Sequence, residues 1–181
     1  MFSFDMDGFF VNWIDSVAAA LGVDPALARA ANAVHNFPQA LGLTKSQMWR
    51  AVDEQGTAIW ENMGIHEDAF SVFEEARALH GDRVDIITAP NSPSSCAGKA
   101  LWVNKHLDDV KNLDIIQLSR NKWRLAGPGR YLFDDSPTGC RDWESHPRVV
   151  PGGTAVLVPR VGAPGRAEAL DRIRHIIREA V

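Results

Sequence analysis

The chain has 181 residues, 45% of them hydrophobic and 23% charged. That is enough apolar material for one globular domain with a sizeable core, and too much for a disordered or fibrous chain. A formal net charge of -4 and a pI near 5.8 speak against extended binding along nucleic-acid backbones, which calls for a basic surface.

No apolar run is long enough to span a bilayer, no basic-then-apolar leader opens the chain, and two cysteines make no disulfide framework. The expectation is a cytoplasmic protein without a membrane partner, with Cys96 and Cys140 as free thiols. MFSFD reads as the first strand and runs into the turn residues of DMDG, Asp5 to Gly8. Residues 14–65 then break the strand pattern. DPALARAANA offers Asp24 as N-cap with Pro25 at the first helical position, and TKSQMWRAVDEQG carries a capping-box pair, Thr44 and Gln47. This interval predicts a small helical insertion, with 1–13 and 66–181 forming the core.

From residue 66 onward, helix and strand alternate. HEDAFSVFEEARALHG predicts a helix with Phe70, Phe73, Ala76, Arg77 and Leu79 near one face, closed by Gly81. VDIITA from Val84, LDIIQL from Leu113, YLFDD from Tyr131 and TAVLVP from Thr154 predict strands, while AGKALWVNKHLDD and AEALDRIRHIIREAV predict helices. The strand runs are β-branched or aromatic and lack the alternation of a sheet wetted on one face, so both faces are expected to be buried. The expected fold is α/β, with a doubly wound, parallel, five-stranded Rossmann-like sheet and a small helical cap after the first strand.

Ligands of such sheets bind beyond the carboxyl ends of the strands. Three runs end in residues suited to chemistry: Asp5 with Asp7, Thr88, and Asp134 with Asp135. Alone, DMDG is an ordinary turn and the DD pair a solvated loop; their shared position is what singles them out. Four converging carboxylates repel one another unless a cation joins them. Oxygen donors without clustered His or Cys select a hard ion, Mg²⁺ when the substrate is a phosphate. His35, His66 and His106 show no ligand spacing and receive no zinc role.

Beside such an ion one carboxylate can attack phosphorus in line, and a second, two residues on, can protonate the leaving oxygen and then activate water. The Thr88 hydroxyl, backbone N–H groups near Ala89 and the Lys99 ammonium suit the charge on the phosphoryl oxygens. Lys105 and Lys122 compete with Lys99 for that role, and for Lys122 a surface position is the plainer expectation.

DMDG, the strand ending at Thr88, Lys99 and the DD pair of LFDDSP, in that order, resemble the haloacid dehalogenase superfamily of phosphatases. Within it, ITAPNSP, GKALWVNKHL, SRNKW and LFDDSP are similar to successive segments of the 5'(3')-deoxyribonucleotidase group. The resemblance implies Asp5 as nucleophile, Asp7 as acid and base, Thr88, Ala89 and Lys99 on the phosphate, and Asp5, Asp7, Asp134 and Asp135 around Mg²⁺. It also implies a helical cap and a base pocket lined by Trp13, with core packing as the rival role; Trp60, late in the insertion, is a candidate to close that pocket, and Asn91 and Lys122 are candidates for substrate contact, with a turn as the plainer role for Asn91. Trp49 and Phe37 are expected in the cap core.

The expected activity is Mg²⁺-dependent hydrolysis of nucleoside 5'-monophosphates, deoxyribonucleotides among them, through an aspartyl-phosphate. The partner is then a small-molecule nucleotide, and a homodimer is compatible with the sequence. Two positions depart from the family: Asn12 where another Asp is common, and Ser136 where Arg often follows the acidic pair, which leaves nucleotide preference open. The alternatives are a phosphatase for another small phosphomonoester or a nucleic-acid end, and a non-catalytic module that binds nucleotide or metal.

Overall fold

A computed structural model describes residues 1–34, 37–107 and 121–180 in full, and 114–117 by their backbone. His35, Asp108, Asp109, Leu113, Leu118, Ser119, Arg120 and Val181, which belong to stretches singled out above, lie outside the described residues.

The described strands are β1 (Phe2–Asp5), β2 (Val11–Asn12), β3 (Gly64–Ile65), β4 (Val84–Thr88), β5 (Asp114–Gln117), β6 (Tyr131–Asp134) and β7 (Thr154–Leu157). One sheet has the order β5-β4-β1-β6-β7, and every neighbouring pair in it is parallel. The α/β class and the parallel sheet are therefore those expected. The chain builds outward from β1 through β4 to β5, then returns to lay β6 and β7 on the other side of β1. Strand order reverses between β1 and β6, the place where open sheets of this kind bind ligands beyond the carboxyl ends. Because Phe4 is paired with Phe133, the next residues, Asp5 and Asp134, lie side by side at that edge. Asp5 in turn faces Ile87, one residue short of Thr88.

Helices α1 (Trp13–Leu21), α2 (Pro25–Ala33), α3 (Lys45–Glu54), α4 (Ala58–Glu61), α5 (Glu67–His80), α6 (Pro93–His106), α7 (Pro137–Ser145) and α8 (Arg166–Glu179) complete the described elements, with three short 3-10 turns. On one face of the sheet Phe2, Phe4, Ile86 and Phe133 join Phe73 of α5 and Ile173 of α8 in the main core. Phe4 meets Phe73 edge-on at 5.3 Å and Phe133 at 4.8 Å. Each such fully buried ring contributes about 2–3 kcal/mol of transfer free energy. On the other face Ile87 and Leu132 pack on Trp143 of α7. Coverage on both sides explains why these strands read as continuous apolar runs.

Helix α5 buries Ala69, Val72, Phe73, Ala76 and His80, a stripe at helical spacing. Leu79, expected on that face, is 43% exposed instead, because the stripe drifts toward His80, whose Nε2 lies 2.7 Å from the Ile177 carbonyl of α8.

Helices α1 to α4 occupy the interval read as an insertion. Asp24 accepts from the Ala26 N–H at 2.8 Å, and Thr44 and Gln47 form the reciprocal capping box. The interval is not strandless: it ends in β3, which pairs antiparallel with β2 just ahead of it and so ties its two ends together, and α1 begins at Trp13, one residue before the interval. A two-residue strand is too short to leave a periodic signal. Helix α1 packs against α2, α3 and α4, and α4 packs against α6. The last contact passes over Gly98, where a Cβ would stand 2.5 Å from Trp60 Cβ and 2.6 Å from the Thr57 carbonyl oxygen. No helix among the described residues is long and apolar enough to cross a membrane.

Candidate active site and metal centre

Asp5, Asp134 and Asp135 are buried, and each offers an oxygen within 4.8 Å of the others'. Two cations hold them. Lys122 Nζ donates to Asp5 Oδ1 at 2.5 Å and to Asp134 Oδ2 at 2.8 Å, and Arg160 Nε donates to Asp135 Oδ2 at 2.6 Å. The Ser136 N–H donates to Asp134 Oδ1 at 2.8 Å.

Burial pushes the Asp5 carboxyl well above the usual carboxylate range; Lys122 opposes this, and repulsion from Asp134, Asp135 and Asp7 adds to it. Burial likewise raises Asp135 to about 6, with Arg160 pulling down and Asp134 pushing up. For Lys122 burial alone would favour the neutral amine, but Asp5 and Asp134 outweigh it and hold the ammonium above its ordinary value. Three carboxylates against two cations, all-oxygen donors and no His or Cys among the ligating atoms fit a hard divalent ion such as Mg²⁺.

The raised carboxyls set a direction for stability in protein stripped of divalent ions. A carboxyl whose folded pKa stands above its unfolded value holds its proton more tightly when folded. The resulting stabilisation is complete below the unfolded value of 3.8 and is lost as pH rises through about 6 for Asp135. In chelator, the melting temperature of the wild type should therefore fall relative to Asp135→Asn between those two pH values. Thermal denaturation at stepped pH checks this, and a constant difference would contradict it.

A second cluster adjoins the first. Lys99, on α6 and 1% exposed, donates to Asp7 Oδ2 and to Thr88 Oγ1 at 2.8 Å. Asp7 was expected among the metal ligands; its carboxylate lies outside the three-aspartate group and belongs to Lys99. The physical reason is the turn after β1, which swings Asp7 toward α6. Asp7 Oδ1 is buried with no hydrogen-bond partner among the described residues, so it is available to a bound group.

That turn requires Gly8: its φ is +77°, and a Cβ there would stand 2.6 Å from Asp135 Oδ2. Arg166 of α8 fixes the same turn, donating to the Phe9 carbonyl at 2.8 Å, the Pro159 carbonyl at 2.9 Å and Asp68 Oδ2 at 2.7 Å. Ala89 is half-buried just past β4, while Asn91 is exposed. Ser92 caps α6, accepting from the Ser95 N–H.

Lys122 corrects the expectation of a surface lysine: it is 9% exposed and bonded to the two central aspartates. Arg160 was missed altogether. It stands three residues past β7, at the carboxyl edge of the sheet where Asp5 and Asp134 were found, so the strand-end rule could have flagged it.

The aromatic residues of the insertion form a column. Trp13 stacks on Trp49 at 6.4 Å, Trp49 on Trp60 at 6.5 Å, and Phe37 meets Trp13 edge-on at 6.2 Å. Trp60 is buried, with Lys99 Nζ 5.2 Å from its ring centroid. The column thus runs from the insertion to the Lys99 cluster, and it includes Trp49 and Phe37, which were expected only as cap core.

Both departures from the resembled motifs are helix caps. Asn12 accepts from the Asp15 N–H to begin α1, and Ser136 accepts from the Gly139 N–H to begin α7. A scan against protein-family models finds no match to the chain. A search of curated proteins finds none either.

Proposed function

We propose that the protein is a Mg²⁺-dependent phosphomonoesterase of the haloacid dehalogenase type that hydrolyses nucleoside 5'-monophosphates, deoxyribonucleotides among them. Its chief support is the meeting of Asp5, Asp134 and Asp135 oxygens within 4.8 Å, beside a buried lysine that bridges Asp7 and Thr88. In this reading the five-stranded part is the catalytic core, and helices α1 to α4 are a cap that selects the substrate.

An Asp5 carboxylate oxygen attacks phosphorus, forming an O–P bond as the ester P–O bond breaks. Asp7 gives its proton to the leaving alkoxide. Asp7 then takes a proton from water, whose oxygen attacks the aspartyl-phosphate, releasing inorganic phosphate and regenerating Asp5. Lys99, Thr88 and the backbone at Ala89 hold the phosphoryl oxygens, and Lys122 keeps the Asp5 oxygen in place. Held by Asp5, Asp134 and Asp135, Mg²⁺ would supply the positive charge that lets an anionic nucleophile approach an anionic ester. The tryptophan column ends at the Lys99 cluster, and its half-buried members Trp13 and Trp49 are the aromatic groups a base would meet there, which favours a nucleotide over a sugar phosphate.

Phosphate release from a panel of phosphomonoesters tests this. With Mg²⁺, nucleoside 5'-monophosphates should exceed sugar phosphates by at least about tenfold in kcat/KM, and chelation should lower turnover by at least about 10²-fold. A flat profile across the panel would remove the nucleotide assignment. Metal binding without phosphate release from any ester would remove the enzyme assignment.

A further inference from the structure

Arg160 joins two parts of the molecule that the reaction described above treats separately. Its Nε donates to Asp135 Oδ2 at 2.6 Å, while Nη1 donates to Asn32 Oδ1 at 2.8 Å and to the Asn32 carbonyl oxygen at 3.3 Å. Asn32 is buried in the last turn of α2, inside the helical insertion and 128 residues from its partner. Its carbonyl also accepts the Val34 N–H that closes the helix.

Asp135 Oδ2 is confined on its other flank by the glycine turn, since a Cβ on Gly8 would stand 2.6 Å away. The chain after Arg160 passes the same helix end: a Cβ on Gly162 would lie 3.7 Å from Ala33 Cβ. One planar fork therefore bonds an acidic-centre carboxylate and the end of an insertion helix at once. The fork offers Nε and Nη1 from fixed, separate positions in one plane, so its two ends are held in a set geometry.

We infer that Arg160 is a positioning residue that latches the helical insertion to the acidic centre, so that the place of α2 and the state of the Asp135 carboxylate are energetically coupled. Any ligand that draws Asp135 Oδ2 away from Arg160 changes what holds Asn32, and any movement of α2 changes the cation beside Asp135. The use of this latch in gating a substrate rests on the phosphatase proposal. The latch itself does not.

Hydrogen exchange of the protein without metal or substrate tests the coupling. Asp135→Ala should raise exchange at the amides of Ala30 to Ala33 about tenfold, the effect of losing a charge-assisted hydrogen bond. Arg160→Gln and Asn32→Ala should do the same, and the Asp135→Ala/Arg160→Gln double variant should exceed neither single one. Asn32→Asp, which keeps an acceptor for Nη1, should retain wild-type protection. Amides of α5 should be unchanged throughout, which separates a local release from general loosening.

The latch is overturned if α2 in Asp135→Ala exchanges as in the wild type, if the two single effects multiply in the double variant, or if α5 loosens along with α2. No turnover is measured, so failure of the phosphatase proposal leaves these outcomes unaltered, and their failure leaves the phosphatase proposal standing.

Discussion

Asp5→Asn should keep the fold and lower turnover of every phosphomonoester substrate by at least about 10⁴-fold, because an amide oxygen cannot form the covalent intermediate. Asp5 is buried among three other carboxyls, and burial together with their repulsion holds its proton well above the usual range. Asp5→Asn would leave two carboxylates, Asp134 and Asp135, beside the two cations Lys122 and Arg160, so metal-free protein should lose no stability. Circular dichroism should show an unchanged spectrum, and the melting temperature in chelator should not fall. Steady-state kinetics with Mg²⁺ then read the chemistry alone. Turnover within tenfold of the wild type would rule Asp5 out as the nucleophile.

Lys122→Met should have the largest effect on stability. The ammonium bonds Asp5 at 2.5 Å and Asp134 at 2.8 Å, and its side chain is only 10% exposed, so solvent does little to screen the loss. Removing one partner of a buried ion pair costs about 3–5 kcal/mol, since the anions left behind are uncompensated.

The same variant should become more dependent on metal. A ligand that binds only the folded state at a hundred times its Kd restores about 2.7 kcal/mol, so Mg²⁺ should recover much of the deficit. Urea midpoints measured with chelator and with Mg²⁺ supply the comparison. Activity should remain about 10²-fold low even with metal, for want of the donor that aims Asp5. A variant as stable as the wild type in chelator, and indifferent to Mg²⁺, would show that Lys122 does not neutralise the centre.

How far the fold and site could be read ahead of the structure follows from how local each signal is. Phe2, Phe4, Ile86, Ile87, Leu132 and Phe133 announce strands because both faces of the sheet are covered, so the runs lack a regular polar alternation. Asp24 and Thr44 announce helix starts through bonds within three residues. Asp5, Asp134 and Thr88 could be placed together because strand ends in a parallel sheet share an edge.

Lys122 carries no such local mark, whereas Arg160, three residues past β7, was open to the same strand-end rule. A long cationic side chain ordinarily has its head in water, and what buries Lys122 is an aspartate 117 residues away. The direction of Asp7 was equally hidden, because it depends on Lys99, 92 residues later. Leu79 was misplaced for a different reason: helical spacing alone does not say where a stripe meets its neighbour, and here α8 draws it toward His80.

The position of β1 bears on how the molecule is made. It is synthesised before its neighbours yet ends up in the middle of the sheet, paired with β4 from Val84 and β6 from Tyr131. Until both have left the ribosome, Phe2 and Phe4 have no lattice to enter, and their strand has two bare edges. Such distant pairing slows folding and prolongs the interval in which a nascent chain can aggregate. The strand that carries Asp5 is thus among the first made and the last to be enclosed on both edges.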